Sequence, residues 1–235
     1  MREPLFSVII PVHDQWTLTK NCLKSLREHT AGDDFEVIVI DNGSADATAS
    51  VLQPLGDALF KDRFTRIRFE ENRNFGPACN AGARASAAPF LFFLNNDTLL
   101  TPGWPPPLLE SFSRETKLGG AGPLLLYENN TVQHLGVVFG LATAEHVYRG
   151  FPAEHPLVKK TRRFQAITAA ALMMRKDVFL TYGGFCEDYR NGFEDVDLCL
   201  RMKADGFFFT CVPASVVYHL ESQTPGRKTE DNHNA

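Results

Sequence analysis

The chain has 235 residues, 44% hydrophobic and 22% charged, the balance of an ordinary globular domain long enough to bury a sizeable core. Its formal net charge of −4 argues against a general nucleic-acid footprint. No apolar run approaches the ~18 residues of a membrane span, so any membrane contact is expected to be peripheral. Five cysteines (Cys22, Cys79, Cys186, Cys199, Cys211) lack CxxC spacing, an odd, unclustered set that suggests reduced thiols and a cytoplasmic setting.

In chain order, the opening MREPLFSVIIPV reads as a first strand, Ser7 to Ile10, because its apolar run is too short for a secretion signal. Leu18, Cys22, Leu23 and Leu26 mark a helix over Leu18 to Arg27. Phe35 to Ile40 is a second buried strand, and Ser44 is placed to cap a helix from Ala45 to Leu52. Ile67 to Phe69 follows as a third strand and Pro77 to Ala87 as a small-residue helix with proline near its start. Phe90 to Leu94 is short, continuous and aromatic, a central strand. Strands separated by helices predict an α/β fold with a mainly parallel central sheet flanked by helices. Beyond it, Pro102 to Pro107 is a turn and helix entry. Gly119 to Leu126 and Val132 to Phe139 read as strands, Ala166 to Met174 as a strand in preference to a buried helix, and Leu141 to Gln165 as a long loop. Lys176 to Tyr182 and Asp195 to Ala204 read as helices, then Phe207 to Val212 and Val216 to His219 as two last strands. The expected organisation is one domain over 1–222, with a nucleotide-binding half (about 1–100), an acceptor half (about 101–222) and a polar tail (223–235).

Polar residues collect at the carboxyl ends of the predicted strands. Pro11, Val12 and His13 end the first, and Asp41 and Asn42 end the second. The string NRNFGPACN, with Asn72, Arg73, Gly76 and Asn80, follows the third, and Asn95, Asn96 and Asp97 end the fourth. In a parallel sheet these ends share one edge, where ligands bind. They offer a carboxylate for a base or ribose, amides for hydroxyls, and Gly76 where close approach is needed. The result is a nucleotide-sized site with neither GxGxxG nor GxxxxGK[ST]. Asp97, flanked by amides, is suited to holding a divalent cation against a diphosphate, since hard cations favour oxygen ligands. A second acidic cluster, Glu194, Asp195 and Asp197, has three acids in four residues, more than a helix N-terminus requires. Asp197 lies four residues before Arg201, a helical ion-pair spacing. The basic run Lys159, Lys160, Arg162 and Arg163 reads first as a solvated face and second as contact with an anionic acceptor.

The strings SVIIPVHDQ, VIVIDNGSADAT, NRNFGPACNAGARAS, FLFFLNNDT, GGFCEDYRNGFEDVDLCLRMKADGF and VPASVVYHLES stand in an order that resembles family 2 glycosyltransferases, close to the rhamnosyltransferase-like branch. The resemblance covers Ser7 to Ser222 and implies a glycosyltransferase A-type fold: a nucleotide-binding α/β sandwich joined to an acceptor-side half. It implies an inverting transfer of a sugar from a nucleotide-diphosphate donor to a saccharide or lipid-linked acceptor in the synthesis of cell-surface polysaccharide or glycoconjugate. Asn95-Asn96-Asp97 matches the family's DXD position, with Asn95 replacing the first acid, so Asp97 is the one full carboxylate for Mn²⁺ or Mg²⁺. His219 matches a histidine that members of this branch use as a metal ligand, and an imidazole favours Mn²⁺ over Mg²⁺. Asp195, with Glu194 beside it, matches the acceptor-activating base. The replacement at Asn95 leaves an alternative: a catalytically inactive nucleotide-sugar-binding module of a larger assembly.

Overall fold

Residues 3–32, 34–140, 143–190 and 192–220 are described by the structure, a computed structural model, and the expected polar tail lies outside them. In the first half, β1 (Phe6–Val12), β2 (Phe35–Asn42), β3 (Phe64–Phe69) and β4 (Phe90–Leu94) pair in parallel in the order β3–β2–β1–β4. Helices α1 (Trp16–His29), α2 (Thr48–Phe60) and α3 (Phe75–Ala85) connect them. Side chains alternate along β1, as the strand period requires. Phe6, Val8, Ile10 and Val12 join one apolar layer with Cys22, Leu23 and Leu26 of α1 and Leu52 and Phe60 of α2. Ile9 joins the opposite layer with Ala78, Cys79 and Ala83 of α3. The chain lays down β1, β2 and β3 in one direction, then returns to place β4 on the other side of β1. That reversal opens a crevice at the carboxyl ends of β1 and β4.

The second half extends the same sheet. It comprises β5 (Thr98–Leu100), α4 (Pro105–Arg114), β6 (Leu118–Leu126), β7 (Val132–His134), β8 (Val137–Phe139) and β9 (Ala144–His146). There follow β10 (Arg162–Phe164), β11 (Ala171–Arg175), α5 (Lys176–Thr181), α6 (Glu194–Ala204) and β12 (Phe208–His219). β11 lies antiparallel beside β4, with Ala171 opposite Leu94, and carries the sheet on through β6, β12 and β10. β5 pairs with β12 and β7 with β6, giving ten strands shared by both halves, while β8 and β9 form a separate hairpin. Leu108 and Phe112 of α4 enter the first apolar layer, and Phe179 of α5 with Leu198 and Met202 of α6 enter the second. The architecture is therefore the expected three-layer α/β sandwich, parallel in its first half and mixed in its second. No helix among the described residues is long and apolar enough to cross a membrane.

Several boundaries differ from expectation, each for a local reason. The strand expected over Val132 to Phe139 is broken at Gly136, whose φ of 122° is open only to glycine. The long loop expected over Leu141 to Gln165 contains β9, which closes a hairpin on β8, and β10, which pairs with the distant β12; Leu141 and Ala142 lie outside the described residues. The two last strands are one, β12, with a register shift against β6 between Val212 and Val216. The second helix starts at Thr48, not Ala45, and runs past Pro54. Ser44 does not cap it, because the Ser44 hydroxyl accepts from Asp14 N (2.9 Å) and Asp46 accepts from Thr48 N (2.9 Å). β5 was not anticipated, and it proves decisive below.

Candidate active site

Asn95 to Asp97 make the turn from β4 into β5. Because β5 pairs with the end of β12, His219 falls opposite Thr98, and Leu220 N donates to the Asp97 carbonyl (2.9 Å). His219 Nε2 consequently stands 3.1 Å from Asp97 Oδ1 and 3.4 Å from Asn95 Nδ2. Asp97 and His219 are each only 5% exposed. Asn96 faces elsewhere, its amide donating to Thr19 Oγ1 (3.0 Å). The other ring nitrogen of His219, Nδ1, lies 2.6 Å from Gln133 Oε1.

This arrangement suits a divalent cation. A ring with its hydrogen on Nδ1 alone would present the Nε2 lone pair to a carboxylate oxygen at 3.1 Å. Two such acceptors require positive charge on the ring or between them. Adjacent ligands of an octahedral ion, each about 2.1 Å from it, stand ~3 Å apart, which matches this separation. A mixed imidazole, carboxylate and amide set favours Mn²⁺ over Mg²⁺. Among the described residues no three His, Cys, Asp or Glu side chains converge on one point, so Asn95 would have to complete the protein's share.

The acidic cluster occupies the first turn of α6, and its three members have different tasks. Glu194 is buried and accepts from Gly192 N (2.8 Å). Asp195 is half-buried, Oδ1 accepting from Val196 N (2.8 Å) and Oδ2 from Ala169 N (2.8 Å). Asp197 pairs with Arg201 (2.9 Å), as its spacing predicted, and Arg201 also donates to the Tyr182 and Gly184 carbonyls. The short segment 168–170 links the two carboxylate groups: Ala169 N holds Asp195, and the Ala170 carbonyl accepts from Asn95 N (2.9 Å).

Asn95 and His219 line one cleft of about 250 Å³ together with Glu194 and Asp195. Asp97 is not part of the lining; its Oδ1 stands 3.1 Å from His219 Nε2. Among the described residues, no Lys or Arg lines this cleft. Phe75, the first residue of α3 and part of the NRNFGPACN string, also lines it, as do Gln133 and His146, which come from three-residue strands that carry no motif. His134 is buried beside them, and its Nε2 accepts from Thr168 N (3.3 Å). Burial first, then His146 and His219 nearby, push His134 well below the usual histidine range and keep it neutral.

The remaining expected donor-side residues stand farther along the same edge, outside this cleft. Val12 lies opposite Asp41 across β1 and β2, with Pro11 opposite Ile40. The side chain of Asp41 has no exposed surface. Its Oδ1 accepts from Ser44 N (3.0 Å), and Oδ2 is bound by both Arg66 and Arg68. Burial alone would raise this carboxyl; the Ser44 hydrogen bonds and the two arginines outweigh it and hold the group below its ordinary value. Arg68 is 43% exposed and brings the cluster to the surface. His13 Nδ1 donates to the Asn42 carbonyl (3.0 Å). The Asn42 amide ties down the next loop, donating to Asn72 Oδ1 (2.9 Å) and accepting from Arg73 N (2.8 Å), while the Arg73 guanidinium lies over Phe69.

Gly76 and Asn80 face the approach to α6. A Cβ at Gly76 would lie 3.0 Å from the Cys186 carbonyl. Asn80 is buried and exchanges hydrogen bonds with Phe185 N (3.0 Å) and the Phe185 carbonyl (2.8 Å). The basic run is engaged within the protein: Lys159 with Glu154, Arg162 with the Leu157 and Lys160 carbonyls, and Arg163 with Glu115. All five cysteines are free; burial first, eased by Thr98, pushes Cys22 up to about 12.

A reversal of strand order facing a polar cleft, closed by a mixed second half, is the arrangement of the glycosyltransferase A-type fold class. Solved structures share it. GalNAc-T7, crystallised with UDP, GalNAc and Mn²⁺, matches with a TM-score of 0.77 at 17% identity, over 93% of this chain and 44% of that one. The mannosyltransferase PcManGT of Pyrobaculum calidifontis, in complex with GDP-Man and Mn²⁺, matches with a TM-score of 0.66 at 16% identity, over 97% and 59%. Within that class the chain belongs to glycosyl transferase family 2, whose family model matches residues 7–179. Its relatives include the uncharacterized protein y4gI of Sinorhizobium fredii, 31% identical over 96% of this chain. The O-antigen biosynthesis protein RfbC of Myxococcus xanthus is 31% identical over 93% of it. The chain spans 25% of the length of the first and 17% of the second.

Proposed function

We propose that this domain transfers a sugar from a nucleotide-diphosphate donor to an acceptor hydroxyl, with inversion at the anomeric carbon. The observation that carries this reading is the single cleft lined by Asn95 and His219 as well as Glu194 and Asp195. Asp97, His219 and Asn95 would hold Mn²⁺, or less readily Mg²⁺, which when bound supplies Lewis-acid stabilisation of charge on the departing diphosphate. Asp195 takes the acceptor proton as the hydroxyl oxygen bonds to the anomeric carbon. The sugar–phosphate bond breaks with its electron pair leaving on the nucleoside diphosphate. The two backbone donors on Asp195 fix the orientation of its carboxylate without neutralising it. Glu194 stands beside it in the wall of the same cleft. No covalent sugar–enzyme intermediate is needed. Asp41 acts on the nucleoside side by positioning Arg68, with Pro11, Val12, His13, Asn42, Asn72 and Arg73 shaping that edge.

The name of RfbC supports placing the acceptor among cell-surface polysaccharides or other glycoconjugates. The work would be done in the cytoplasm, with any lipid-linked acceptor met at the membrane surface. A thermal-shift screen of UDP, GDP and dTDP with and without Mn²⁺ tests the donor reading, because a ligand of the native state raises apparent stability. A metal-dependent rise for at least one diphosphate is expected, and no rise for any would overturn it. Binding without turnover, across many acceptors, would select the inactive module instead.

A further inference from the structure

Gln133 carries no sequence motif, yet it is 3% exposed and grips one residue at two points. Its Nε2 donates to the His219 carbonyl (3.1 Å), and its Oε1 lies 2.6 Å from His219 Nδ1. The first contact settles the amide's orientation, since only the NH₂ end can face a carbonyl oxygen. Oε1 must therefore face the ring, and a contact of 2.6 Å to an amide oxygen places the ring hydrogen on Nδ1. The surroundings of the other ring nitrogen would favour the opposite choice. Asp97 Oδ1 at 3.1 Å from Nε2 is an acceptor that would draw the hydrogen to that side and cap the lone pair.

We infer that Gln133 is a positioning residue that locks His219 in its Nδ1–H tautomer and thereby keeps Nε2 available, beside Asp97 and Asn95, as a nitrogen donor to a divalent cation. The inference rests on the cation reading of that site. Gln133 is itself anchored, its carbonyl lying 3.2 Å from His146 Nδ1 at the end of the β8–β9 hairpin. An outer hydrogen bond of this kind fixes ring orientation and raises the basicity of the ligating nitrogen.

The test combines ring ¹⁵N NMR of metal-free, histidine-labelled protein with Mn²⁺ titration calorimetry, the His219 signals being identified by their loss in His219→Ala. In the native protein Nδ1 should carry the hydrogen. Gln133→Leu, close in volume, should move it to Nε2 and weaken Mn²⁺ binding ~10–100-fold. Gln133→Glu retains an acceptor and should keep the native tautomer and bind within a few-fold of native; Gln133→Met serves if the Leu variant does not fold. An unchanged tautomer in Gln133→Leu or Gln133→Met, or a Glu variant that behaves like Leu, overturns the role of Gln133. A tautomer that changes as expected in a protein with no native Mn²⁺ affinity overturns the cation reading instead.

Discussion

Two polar clusters share the carboxyl edge of this sheet, and they are built on opposite principles. Along β1 to β3, Asp41 is answered by two arginines and a backbone amide, and Asn42 by Asn72, Asn74 and Arg73. In that cluster the carboxylate is more than balanced by cationic side chains, and its hydrogen bonds tie neighbouring loops together. At the end of β4, carboxylates from distant segments line or adjoin a cleft whose wall, among the described residues, has no lysine or arginine. On the proposed reading, the first cluster gives shape and the second chemistry.

Substitution should separate the two sharply. The largest effect is expected from Asp195→Asn, which keeps size and removes the base. Transfer should fall ~10²–10⁴-fold, with nucleotide affinity by calorimetry nearly native; normal turnover would remove Asp195 from the mechanism. Next comes Asp97→Ala. Mn²⁺-dependent affinity for a nucleotide diphosphate should drop at least ~10-fold while affinity without metal stays put, and an unchanged metal-dependent affinity would count against its role. Folding should survive both changes.

Asp41→Asn should reverse that profile, costing about 1–3 kcal/mol of stability by urea titration at neutral pH. Its native carboxyl sits below the ordinary value, so the native state binds fewer protons there than the unfolded chain. This contribution is full above the unfolded pKa of ~3.9 and is lost as pH falls from there towards the native value. The gap between native and variant stability should therefore close in acid; a gap that widened would mean the arginines do not stabilise the carboxylate. The smallest effect is expected from Arg163→Ala, whose exposed ion pair with Glu115 is worth about 0–1 kcal/mol. Donor affinity should not change, and a clear loss would return the basic run to the site.

The first cluster was partly legible in the chain because Asp41, Asn42 and Asn72 to Asn74 stand at or after strand ends, which a parallel sheet delivers to one edge, whereas Arg66 and Arg68 lie inside β3 and carry no such signal. Phe90–Leu94 was read to the residue because five apolar positions end abruptly in amides. Asp41 was placed correctly at its strand end, but its engagement by Arg66 and Arg68 needs the register of β2 against β3, where Asp41 stands opposite Arg68. The second cluster was half legible. Asn95, Asp97 and the acids of α6 carry local signals, while Gln133 and His146 come from three-residue strands with none.

By itself the sequence determined the alternation of strands and helices, the family, and the short list of side chains with chemistry to perform, since these follow from local periodicity and residue type. Only the tertiary structure decided which of them meet. β5 pairing with the end of β12 sets His219 against Asp97, and the entry to β11 holds Asp195 within reach of Asn95. Such contacts join positions more than a hundred residues apart in the case of His219 and Asn95. They depend on strand register, and register is a property of the packed sheet as a whole.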